Sequence, residues 1–515
     1  MTAPAVRGYY TADEVRAAEA ELFTRVPEGM PMRRAAFGLA DVVARELRER
    51  TGGVAGRAVT LLVGSGDNGG DALWAGSFLR RRGVAVRAVL LVPERAHAAG
   101  LAALRRAGGR ILAVSATVEE LRETDPRRLG LPQLVYTSTA VPYRVGQLLG
   151  APDLVVDGIV GISGRGPLRP VAAELVAGVR CPIIAADLPS GVDCDTGAVT
   201  GPAVRADVTV TFGACKPVHA LAAPHCGRIE LVPIGLRLPE ANLIALEPRA
   251  VGAGWPVPGP SDDKYTQGVT GVCAGSGTYP GAAVLCTGGA VAATSGMVRY
   301  AGTGAGQVLA HFPEVIAAET ISATGRVQSW VFGPGAGTDS AARDRLAEIL
   351  ATDLPVVVDA DGLTLLAAEP GLVTGRAAPT VVTPHAGEFA RLTGSEPGSD
   401  RVAAVRKLAE SWQVTVLLKG RATLVAGPGV PVFVNEAGGS WAATAGSGDV
   451  LSGIIAALLA CGLDPSWAAA AAARAHSLAA NLAAHAATSA GAPISASPLL
   501  SHIRAAIGTL RELAS

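Results

Sequence analysis

The stretch Ala58–Gly76 reads AVTLLVGSGDNGGDALWAG and decides the fold of the first half of the chain. Its first six residues are continuously apolar, which is typical of a strand covered by helices on both faces. A glycine-rich turn follows, and then a segment with the residue spacing of a helix. A strand, a glycine turn and a helix in this order indicate the start of a parallel, doubly wound α/β domain.

Further elements extend this pattern through the first half. Two helices are predicted before the glycine turn, near Ala12–Thr24 and Met32–Arg50. Apolar runs after it predict four more strands, at Val84–Leu91, Leu154–Asp157, Pro182–Asp187 and Asp207–Phe212. The alternation of strands and helices predicts a Rossmann-like α/β domain over residues 1–240.

The second half repeats the alternation after a break. Residues 241–260 are rich in Pro, Gly and Ala without periodicity, which predicts a linker. Five strands are predicted beyond it, at Val269–Ala274, Ser329–Phe332, Pro355–Asp359, Thr380–Thr383 and Val414–Leu418. Two long Ala-rich helices, Asp449–Ala460 and Pro465–Ala487, are predicted to close the chain. We therefore expect a second, different α/β domain over residues 261–515.

Composition excludes several classes of protein. Of 515 residues, 49% are hydrophobic and only 17% are charged, which describes globular domains rather than a disordered chain. The 44 basic and 44 acidic side chains cancel, and no basic run exceeds Arg80–Arg82. Such a balance gives no electrostatic footprint for nucleic acid.

Cysteine spacing and hydropathy indicate the cellular location to expect for this protein. The seven cysteines form no CxxC pair and no zinc-like cluster, so we expect them to be reduced. The apolar stretch near Ile454–Cys461 is far shorter than the ~20 residues that span a bilayer. The segment Met1–Tyr10 lacks the basic-then-apolar pattern of a signal peptide. We expect a cytoplasmic protein with no membrane partner.

Lysine is rare in this chain. Only Lys216, Lys264, Lys407 and Lys419 occur among the 44 basic residues, and the other 40 are arginines. The chain strongly favours arginine over lysine. A position that is nevertheless lysine can require a compact ammonium group that a planar guanidinium does not replace. Chance retention is the alternative for any one of them.

Oxygen-bearing side chains follow several strands of the first half. The motifs are GSGDNGGD at 64–71, VVDGIVGISGRGP at 155–167, AADLPSGVDCDTG at 185–197 and TFGACKP at 211–217. Because the carboxyl ends of parallel strands meet in one crevice, five side chains are expected to converge there: Asn68, Asp157, Asp187, Ser190 and Lys216. The amide, carboxylate and hydroxyl oxygens among them suit a hard cation. Taken singly, each residue could equally be a turn, a cap or a surface group.

These motifs together resemble the YjeF N-terminal domain family, the NAD(P)H-hydrate epimerases, over roughly residues 10–240. The resemblance implies that Asp187 is the catalytic carboxylate and that a potassium ion binds Asn68, Asp157 and Ser190. It also implies a set of residues that bind the hydrated dinucleotide: Asp67, Asn68, Gly69, Gly70, Asp71, Gly161, Ile162, Ser163, Gly164, Arg165, Gly166, Pro167, Asp187 and Lys216. Inverting a hydroxylated carbon requires a proton transfer, for which a carboxylate is suited.

The second half carries its own strand-end motifs. They are KYTQG at 264–268, GSGTYPGA at 275–282, GPGAG at 333–337, TPHAGE at 383–388, KGRAT at 419–423 and GSGDVLSG at 446–453. The last places Asp449 at the start of a long helix, after glycines whose amides can bind an anion. That arrangement suits phosphoryl transfer to a hydroxyl, with Asp449 as the base. A simple helix-capping role for Asp449 is the alternative.

This combination resembles the ribokinase-like YjeF C-terminal family, the ADP-dependent NAD(P)H-hydrate dehydratases, over roughly residues 255–510. The resemblance implies that ADP phosphorylates the hydrate and that phosphate then leaves, giving NAD(P)H, AMP and phosphate. It implies Asp449 as the catalytic base in contact with the hydrate. Ala282, Gly335 and His385 would line the hydrate pocket. The nucleotide would be held by Lys419, Gly420, Arg421, Ala422, Thr423 and Gly448.

The two resemblances predict a bifunctional repair enzyme that epimerises R- and S-NAD(P)HX and dehydrates the S form. We expect K⁺, Mg²⁺ and ADP as cofactor and co-substrate requirements, and a homo-oligomer. An alternative is an ATP-dependent ribokinase-like kinase of small molecules, in which the first domain is a non-catalytic binding module.

Overall fold

The computed structural model describes residues 6–114, 145–294 and 296–515. Two compact units make up the chain. One unit is Gly8–Ala241, and the other is Asn242–Ser515 together with the start of the chain through Arg7. Each unit is described separately below.

The first unit contains a seven-stranded sheet in which neighbouring strands are parallel, in the order β4-β3-β2-β5-β6-β7-β8. Strands are numbered along the whole chain, so β1 is Val6–Tyr9. The other strands are β2 Ala58–Val63, β3 Ala85–Leu90, β4 Arg110–Ala113, β5 Leu154–Gly158, β6 Ile183–Ala186, β7 Val208–Phe212 and β8 Arg228–Val232.

Helices cover both faces of this sheet, which confirms the doubly wound prediction. They are Ala12–Phe23, Met30–Thr51, Asp67–Arg81, Ala98–Arg106, Val145–Leu149, Pro170–Ala177, Val218–Leu221 and Ala223–Cys226, with a 3-10 turn at Pro93–Arg95. The strand order reverses between β2 and β5. The carboxyl ends of these two strands therefore diverge into a crevice, the usual ligand position in such sheets.

The second unit is built on an eleven-stranded sheet in the order β1-β9-β18-β17-β16-β15-β14-β13-β10-β11-β12. Strands β10 to β16 pair in parallel, whereas β17 is antiparallel to both of its neighbours. The strands are β9 Leu243–Leu246, β10 Val269–Cys273, β11 Met297–Ala301, β12 Ile316–Ala318, β13 Ser329–Phe332, β14 Val356–Val358, β15 Thr380–Val382, β16 Thr415–Leu418, β17 Ala422–Ala426 and β18 Val432–Glu436.

Eleven helices of the second unit lie within the described ranges. They are Pro248–Gly254, Pro280–Ala293, Ala305–His311, Ser340–Leu350, Asp361–Ala368, Ala386–Thr393, Arg401–Trp412, Ser447–Ala460, Pro465–His485, Ala496–Ser501 and Ile503–Glu512, with 3-10 turns at Ser322–Thr324 and Pro370–Leu372. Across all the described ranges, none of the helices combines the length and apolarity needed to cross a bilayer.

The structure differs from the predicted linker. Residues 242–260 contribute β9 and the helix Pro248–Gly254 to the second unit, and the boundary lies between Ala241 and Asn242. Val251 and Trp255 are buried, and the Trp255 indole N–H donates to the Ala293 carbonyl at 2.9 Å. A Pro- and Gly-rich composition is therefore compatible here with a packed segment whose few large side chains anchor it.

The prediction that two Ala-rich helices close the chain is also wrong, because Ala496–Ser501 and Ile503–Glu512 follow them. Four buried side chains, Leu499, Ile503, Ala506 and Leu510, bind these helices to the core. Their spacing of three to four residues is the helical signal that could have identified this end of the chain.

Two glycines allow close backbone contact between two helices of the second unit. A Cβ on Gly289 would lie 2.2 Å from the Val450 carbonyl oxygen, and one on Gly453 would lie 2.0 Å from the Cys286 carbonyl oxygen. The helices Pro280–Ala293 and Ser447–Ala460 therefore touch backbone to backbone. This contact fixes where the second helix begins, which matters for the site at its N-terminus.

We predict that Gly453→Ala destabilises the second unit by about 1–3 kcal/mol, since the added methyl must separate the two helices. Gly508→Ala is the matched control, because a Cβ added there would meet nothing within 4 Å and alanine favours a helix. Urea unfolding of the full chain, followed by circular dichroism, measures both changes. Equal midpoints for Gly453→Ala and the unsubstituted chain would contradict the packing argument.

Candidate functional site

The first site lies at the carboxyl ends of β2, β5, β6 and β7. The loop after β2 and the loop after β5 touch, since a Cβ on Gly64 would lie 1.8 Å from the Ile159 carbonyl oxygen. Gly161 lies against Asn68, since a Cβ on Gly161 would lie 3.3 Å from the Asn68 Cβ. The loops after β2 and β5 therefore meet at this edge of the sheet.

A buried ion pair joins the ends of β6 and β7. The Lys216 ammonium donates to the Asp187 carboxylate, to the Thr211 hydroxyl at 2.9 Å and to the Phe212 carbonyl at 3.2 Å. Lys216 is 1% exposed, and Asp187 is 7% exposed. Because an ammonium buried without a counter-charge is strongly unfavourable, this pair fixes both side chains.

The backbone of Asp187 is unusual. Its φ is +68°, in the left-handed region that residues other than glycine rarely occupy. The Asp187 amide donates to the Val210 carbonyl at 2.7 Å. The strained turn directs the carboxylate away from the strand and toward Lys216, and such strain is concentrated at functional sites.

A second buried carboxylate, Asp157, organises the neighbouring loop. It accepts from the Ser190 amide at 2.9 Å and from the Ser190 hydroxyl at 2.7 Å, while the Ile159 amide donates to it at 3.2 Å. Burial raises the pKa of Asp157 to about 6, although these three hydrogen bonds lower it. Asp157 and Ser190 thus lie in direct contact, as their predicted shared role requires.

Two side chains of the glycine turn carry buried polar atoms without a protein partner. Both amide atoms of Asn68 and the Oδ1 atom of Asp71 are in this state. Burial, followed by the charges of Asp187 and Asp67, raises the pKa of Asp71 well above its ordinary value. Buried groups of this kind indicate a ligand that supplies the missing hydrogen bonds or charge.

The remaining predicted residues of the first site are more exposed. Asp67 lies at the exposed start of the helix Asp67–Arg81, followed by the buried Gly69 and Gly70. In the loop Gly161–Pro167, the last three residues are exposed. Arg165 is largely exposed, with a guanidinium nitrogen 3.8 Å from an Asp193 carboxylate oxygen.

Two residues of this site were not predicted from the sequence. Glu19, on the helix Ala12–Phe23, has a pKa raised by burial and then by Asp187, so it belongs to the same group of charges. His219 is buried and bonds to both partners of the ion pair, as described below. A lone glutamate and a lone histidine carry no spacing signal that distinguishes them from surface and core residues.

The second site lies where the helix Ser447–Ala460 begins, after Gly446 with φ +83°. Lys419, after β16, donates to the Asp359 carboxylate at 2.7 Å and lies 3.6 Å from a Glu388 carboxylate oxygen. Asp359 also accepts from the Ser452 hydroxyl at 2.7 Å. One lysine therefore ties together the loops after β14, β15 and β16.

Burial and neighbouring charges shift the pKa of Asp449, which lies in the first turn of this helix. Burial, and after it the charge of Asp359, raises the pKa of Asp449 to about 7, although Lys419 lowers it. Burial alone lowers the pKa of Lys419, but the charges of Asp359 and Glu388 raise it overall. The site thus places an ammonium with a raised pKa beside a carboxyl group whose pKa is raised to about 7.

A cavity of about 290 Å³ opens beside this lysine. It is lined by five of the predicted nucleotide-binding residues, Lys419, Gly420, Arg421, Thr423 and Gly448. The sixth, Ala422, is buried at the start of β17. A Cβ on Gly448 would lie 3.4 Å from the Lys419 Nζ atom, so the first turn of the helix Ser447–Ala460 lies beside the ammonium.

The three residues predicted for the hydrate pocket fall into two groups. Ala282 and Gly335 are adjacent, since a Cβ on Gly335 would lie 2.9 Å from the Ala282 Cβ. His385 instead lines the 290 Å³ cavity, where its Nδ1 atom caps the helix Ala386–Thr393. The structure does not place His385 against the other two.

Several residues of the second site were not assigned roles from the sequence. Asp359 directly follows β14, and Glu388 belongs to the motif TPHAGE. Both pair with Lys419, which lies far from them in the sequence, so residue spacing does not reveal the contacts. His476 is buried, and its Nε2 atom lies 2.8 Å from the Ser447 carbonyl oxygen. Burial lowers the pKa of His476 to about 4, so the ring is neutral.

Comparisons with known proteins match both halves. A family model described as YjeF-related protein N-terminus matches residues 29–218, and one described as NAD(P)H-hydrate dehydratase matches residues 270–501. A crystal structure of the ADP/ATP-dependent NAD(P)H-hydrate dehydratase from Bacillus subtilis is 24% identical, covering 52% of this chain and 98% of that chain with a TM-score of 0.46.

Two mycobacterial relatives match nearly the whole length. The Bifunctional NAD(P)H-hydrate repair enzyme Nnr of Mycobacterium tuberculosis is 60% identical over 468 residues, covering 90% of this chain and 92% of the relative. The Mycobacterium leprae protein of the same name is 58% identical over 508 residues, covering 98% and 100%. The family models and these two relatives confirm both resemblances predicted from the motifs. The chain belongs to the family of bifunctional NAD(P)H-hydrate repair enzymes.

Proposed function

We propose that the first unit interconverts the R and S hydrates of NADH and NADPH, and that the second unit dehydrates the S hydrate with ADP. The observation that carries this proposal is common to both sites. In each, a carboxylate at a strand end is paired with a lysine: Asp187 with the buried Lys216, and Asp359 with the partly buried Lys419 beside Asp449. Fusion of the two activities allows one chain to repair both epimers.

In the first unit, Asp187 is the proposed catalytic carboxylate. Inverting the hydroxylated carbon requires a proton transfer and stabilisation of a transient cation or an opened ring. The Lys216 ammonium holds Asp187 in place, and its carboxylate can serve both needs. Burial raises the pKa of Asp71, which favours its neutral form, and in that form Asp71 can donate a hydrogen bond to the substrate. Asp187, which is paired with Lys216, and Asp71, whose Oδ1 atom has no protein partner, are proposed to serve different roles.

The residues of the first site also fit a potassium ion. The Asn68 amide oxygen is buried without a protein partner, and the Asp157 carboxylate and Ser190 hydroxyl supply further hard oxygen donors. These three residues would hold the ion. When bound, it would supply positive charge that offsets the acidic side chains and the substrate pyrophosphate.

In the second unit, Asp449 is the proposed general base. It takes the proton of the hydrate hydroxyl, whose oxygen attacks the β-phosphorus of ADP while the bond to AMP breaks. The amides at the start of the helix Ser447–Ala460 and the Lys419 ammonium stabilise the transferred phosphoryl group. The phosphate then leaves with its oxygen as a proton departs the adjacent carbon, which forms the double bond of NAD(P)H.

The 290 Å³ cavity is the proposed nucleotide site. Its lining by Lys419–Thr423 and Gly448, apart from the buried Ala422, supports this role. Ala282 and Gly335 are proposed to contact the hydrate together with Asp449. We also propose that His385, which lines the nucleotide cavity, contacts the hydrate from that cavity.

Mg²⁺ is proposed to arrive on the phosphates of ADP. Within the described ranges, no group of three or more His, Cys, Asp or Glu side chains is placed to hold a metal ion. The nucleotide phosphates, which Mg²⁺ prefers in kinase sites, are then its principal ligands.

Two alternative functions are not favoured. Relatives that are named bifunctional match nearly the whole chain, including the first unit, which a small-molecule kinase does not require. The buried Asp187–Lys216 pair also argues against an inert binding module, because such a pair is not needed for stability. A cytoplasmic location, consistent with seven free cysteines, and a homo-oligomeric state are also part of the proposal.

We predict that two substitutions separate the two activities. Asp187→Asn abolishes epimerisation, so dehydration of mixed hydrates stops once the S form is consumed. Asp449→Asn lowers the rate of dehydration of pure S hydrate by about 10²–10⁴-fold, the usual loss of a general base. The absorbance of the reduced nicotinamide follows both. Each variant serves as the folded control for the other, and complete conversion of mixed hydrates by Asp187→Asn would contradict the assignment.

We predict an acid limb near pH 7 in the kcat/KM profile of dehydration. Asp449 acts as a base only when ionised, and its pKa is about 7, so the rate falls about tenfold per pH unit below this value. Glu388→Gln removes a charge that raises this pKa, so its limb lies at lower pH. Stopped-flow assays of pure S hydrate measure both profiles. A flat profile down to pH 5 would contradict the role of Asp449.

We predict that epimerisation requires potassium through Asn68. Replacing KCl with choline chloride lowers the epimerisation rate, and Asn68→Ala abolishes the dependence on KCl because a buried oxygen donor is lost. Chromatographic separation of the R and S hydrates measures the rate without the second activity. Dehydration of the pure S form by the same samples is the control. Equal epimerisation rates in both salts would rule out the ion.

A further inference from the structure

His219 lies behind the Asp187–Lys216 pair and bonds to the backbone of both residues. The Lys216 amide donates to its Nδ1 atom at 3.0 Å, and its Nε2 atom lies 2.9 Å from the Asp187 carbonyl oxygen. The ring is 4% exposed. One imidazole thus joins the loop after β6 to the loop after β7.

The two bonds determine the protonation of the ring. Nδ1 accepts a hydrogen bond from an amide, so it carries no proton. Nε2 faces a carbonyl oxygen, which only accepts, so it carries the proton. The neutral Nε2–H tautomer satisfies both contacts at once. Burial, and after it the charge of Lys216, lowers the pKa of His219 to about 4, in agreement with a neutral ring.

This bridge acts where the backbone is strained. Asp187 occupies the left-handed region at φ +68°, which residues with a Cβ rarely adopt. The β-sheet holds its amide through the Val210 carbonyl, and His219 holds its carbonyl. With the amide and the carbonyl of this residue both fixed, the carboxylate stays aimed at Lys216.

We propose that His219 is a positioning residue for epimerisation, a neutral bridge that holds Asp187 and Lys216 in their reactive arrangement. It touches the backbone of both residues and acts through them rather than on the substrate. This inference rests on the proposed epimerase function of the first unit.

A nearby histidine provides a matched control. His225, six positions further along the chain, is half-buried, and its Nδ1 atom lies 3.0 Å from the Val204 carbonyl oxygen. It has no contact with Asp187 or Lys216 among those the structure shows for residues 6–114 and 145–294. Loss of this histidine changes packing without changing the ion pair.

Two substitutions separate the bonds of His219. The side-chain amide of Gln reaches the position of Nε2, so His219→Gln keeps a donor for the Asp187 carbonyl. Asn reaches the position of Nδ1, so His219→Asn keeps only the acceptor for the Lys216 amide. We expect His219→Asn to lower the kcat of epimerisation on the order of 10- to 100-fold with little change in KM, because displaced reacting groups slow the chemical step. His219→Gln should recover much of the loss, and His225→Asn should match the unsubstituted chain.

The measurement is epimerisation of purified R hydrate by the full-length chain, with thermal unfolding of each variant as a check of folding. A second readout is the ¹⁵N spectrum of labelled histidine, in which the signal lost in His219→Asn should show the Nε2–H form without titration between pH 5.5 and 8. Unchanged kcat in His219→Asn, equal losses in the Asn and Gln variants, or a titrating ring would overturn the inference. No epimerisation by the unsubstituted chain would instead overturn the proposed function, and this inference with it.

Discussion

The removal of a lysine ammonium from water beside a strand end is the constraint on which both sites depend, complete for Lys216 and partial for Lys419, whose side chain is 21% exposed. Removing such a charge from water is costly unless a carboxylate and further acceptors replace the solvent. Lys216 meets this requirement with Asp187, and Lys419 meets it with Asp359. Because each partner follows a different strand, satisfying the ammonium brings separate loops into one crevice. The parallel sheets supply the other condition, since they place all these loops at one edge.

In both sites a buried, neutral histidine forms a hydrogen bond to a backbone carbonyl next to the reacting groups. His219 bonds to the Asp187 carbonyl, and His476 bonds to the Ser447 carbonyl at the start of the helix that carries Asp449. Burial lowers the pKa of both rings to about 4, so neither adds charge near the reacting groups. A neutral donor can hold a carbonyl without disturbing the electrostatics of the neighbouring carboxylates. The charged groups are thereby left to act on the substrate.

The sequence was most informative where strands are buried on both faces. Ala58–Val63 and Ser329–Phe332 were predicted with their observed bounds, because a short, continuous apolar run before a glycine turn is typical of a buried strand. The strands β4 and β8 were missed because they form the edges of their sheet and carry charged residues such as Arg110 and Arg228. The prediction of a linker at residues 241–260 was wrong because composition alone does not reveal packing by single large residues such as Trp255.

Motifs located most of the candidate site, because strand-end loops are contiguous in sequence. They did not reveal pairings between distant segments, such as Lys419 with Asp359, which are sixty positions apart. They also gave no reason to select His219 or Glu19, whose roles depend on burial and on neighbours supplied by other strands. Three-dimensional proximity was the missing information in each case.

The most direct test of the account adds the full-length chain to a mixture of R- and S-NADHX with ADP, Mg²⁺ and K⁺. The increase in absorbance of the reduced nicotinamide gives the amount of NADH formed. Two activities on one chain predict conversion of all the hydrate, with a fast phase for the S form and a slower phase set by epimerisation. Conversion that stops at the initial S fraction would contradict the epimerase assignment. No NADH with ADP would contradict the dehydratase assignment.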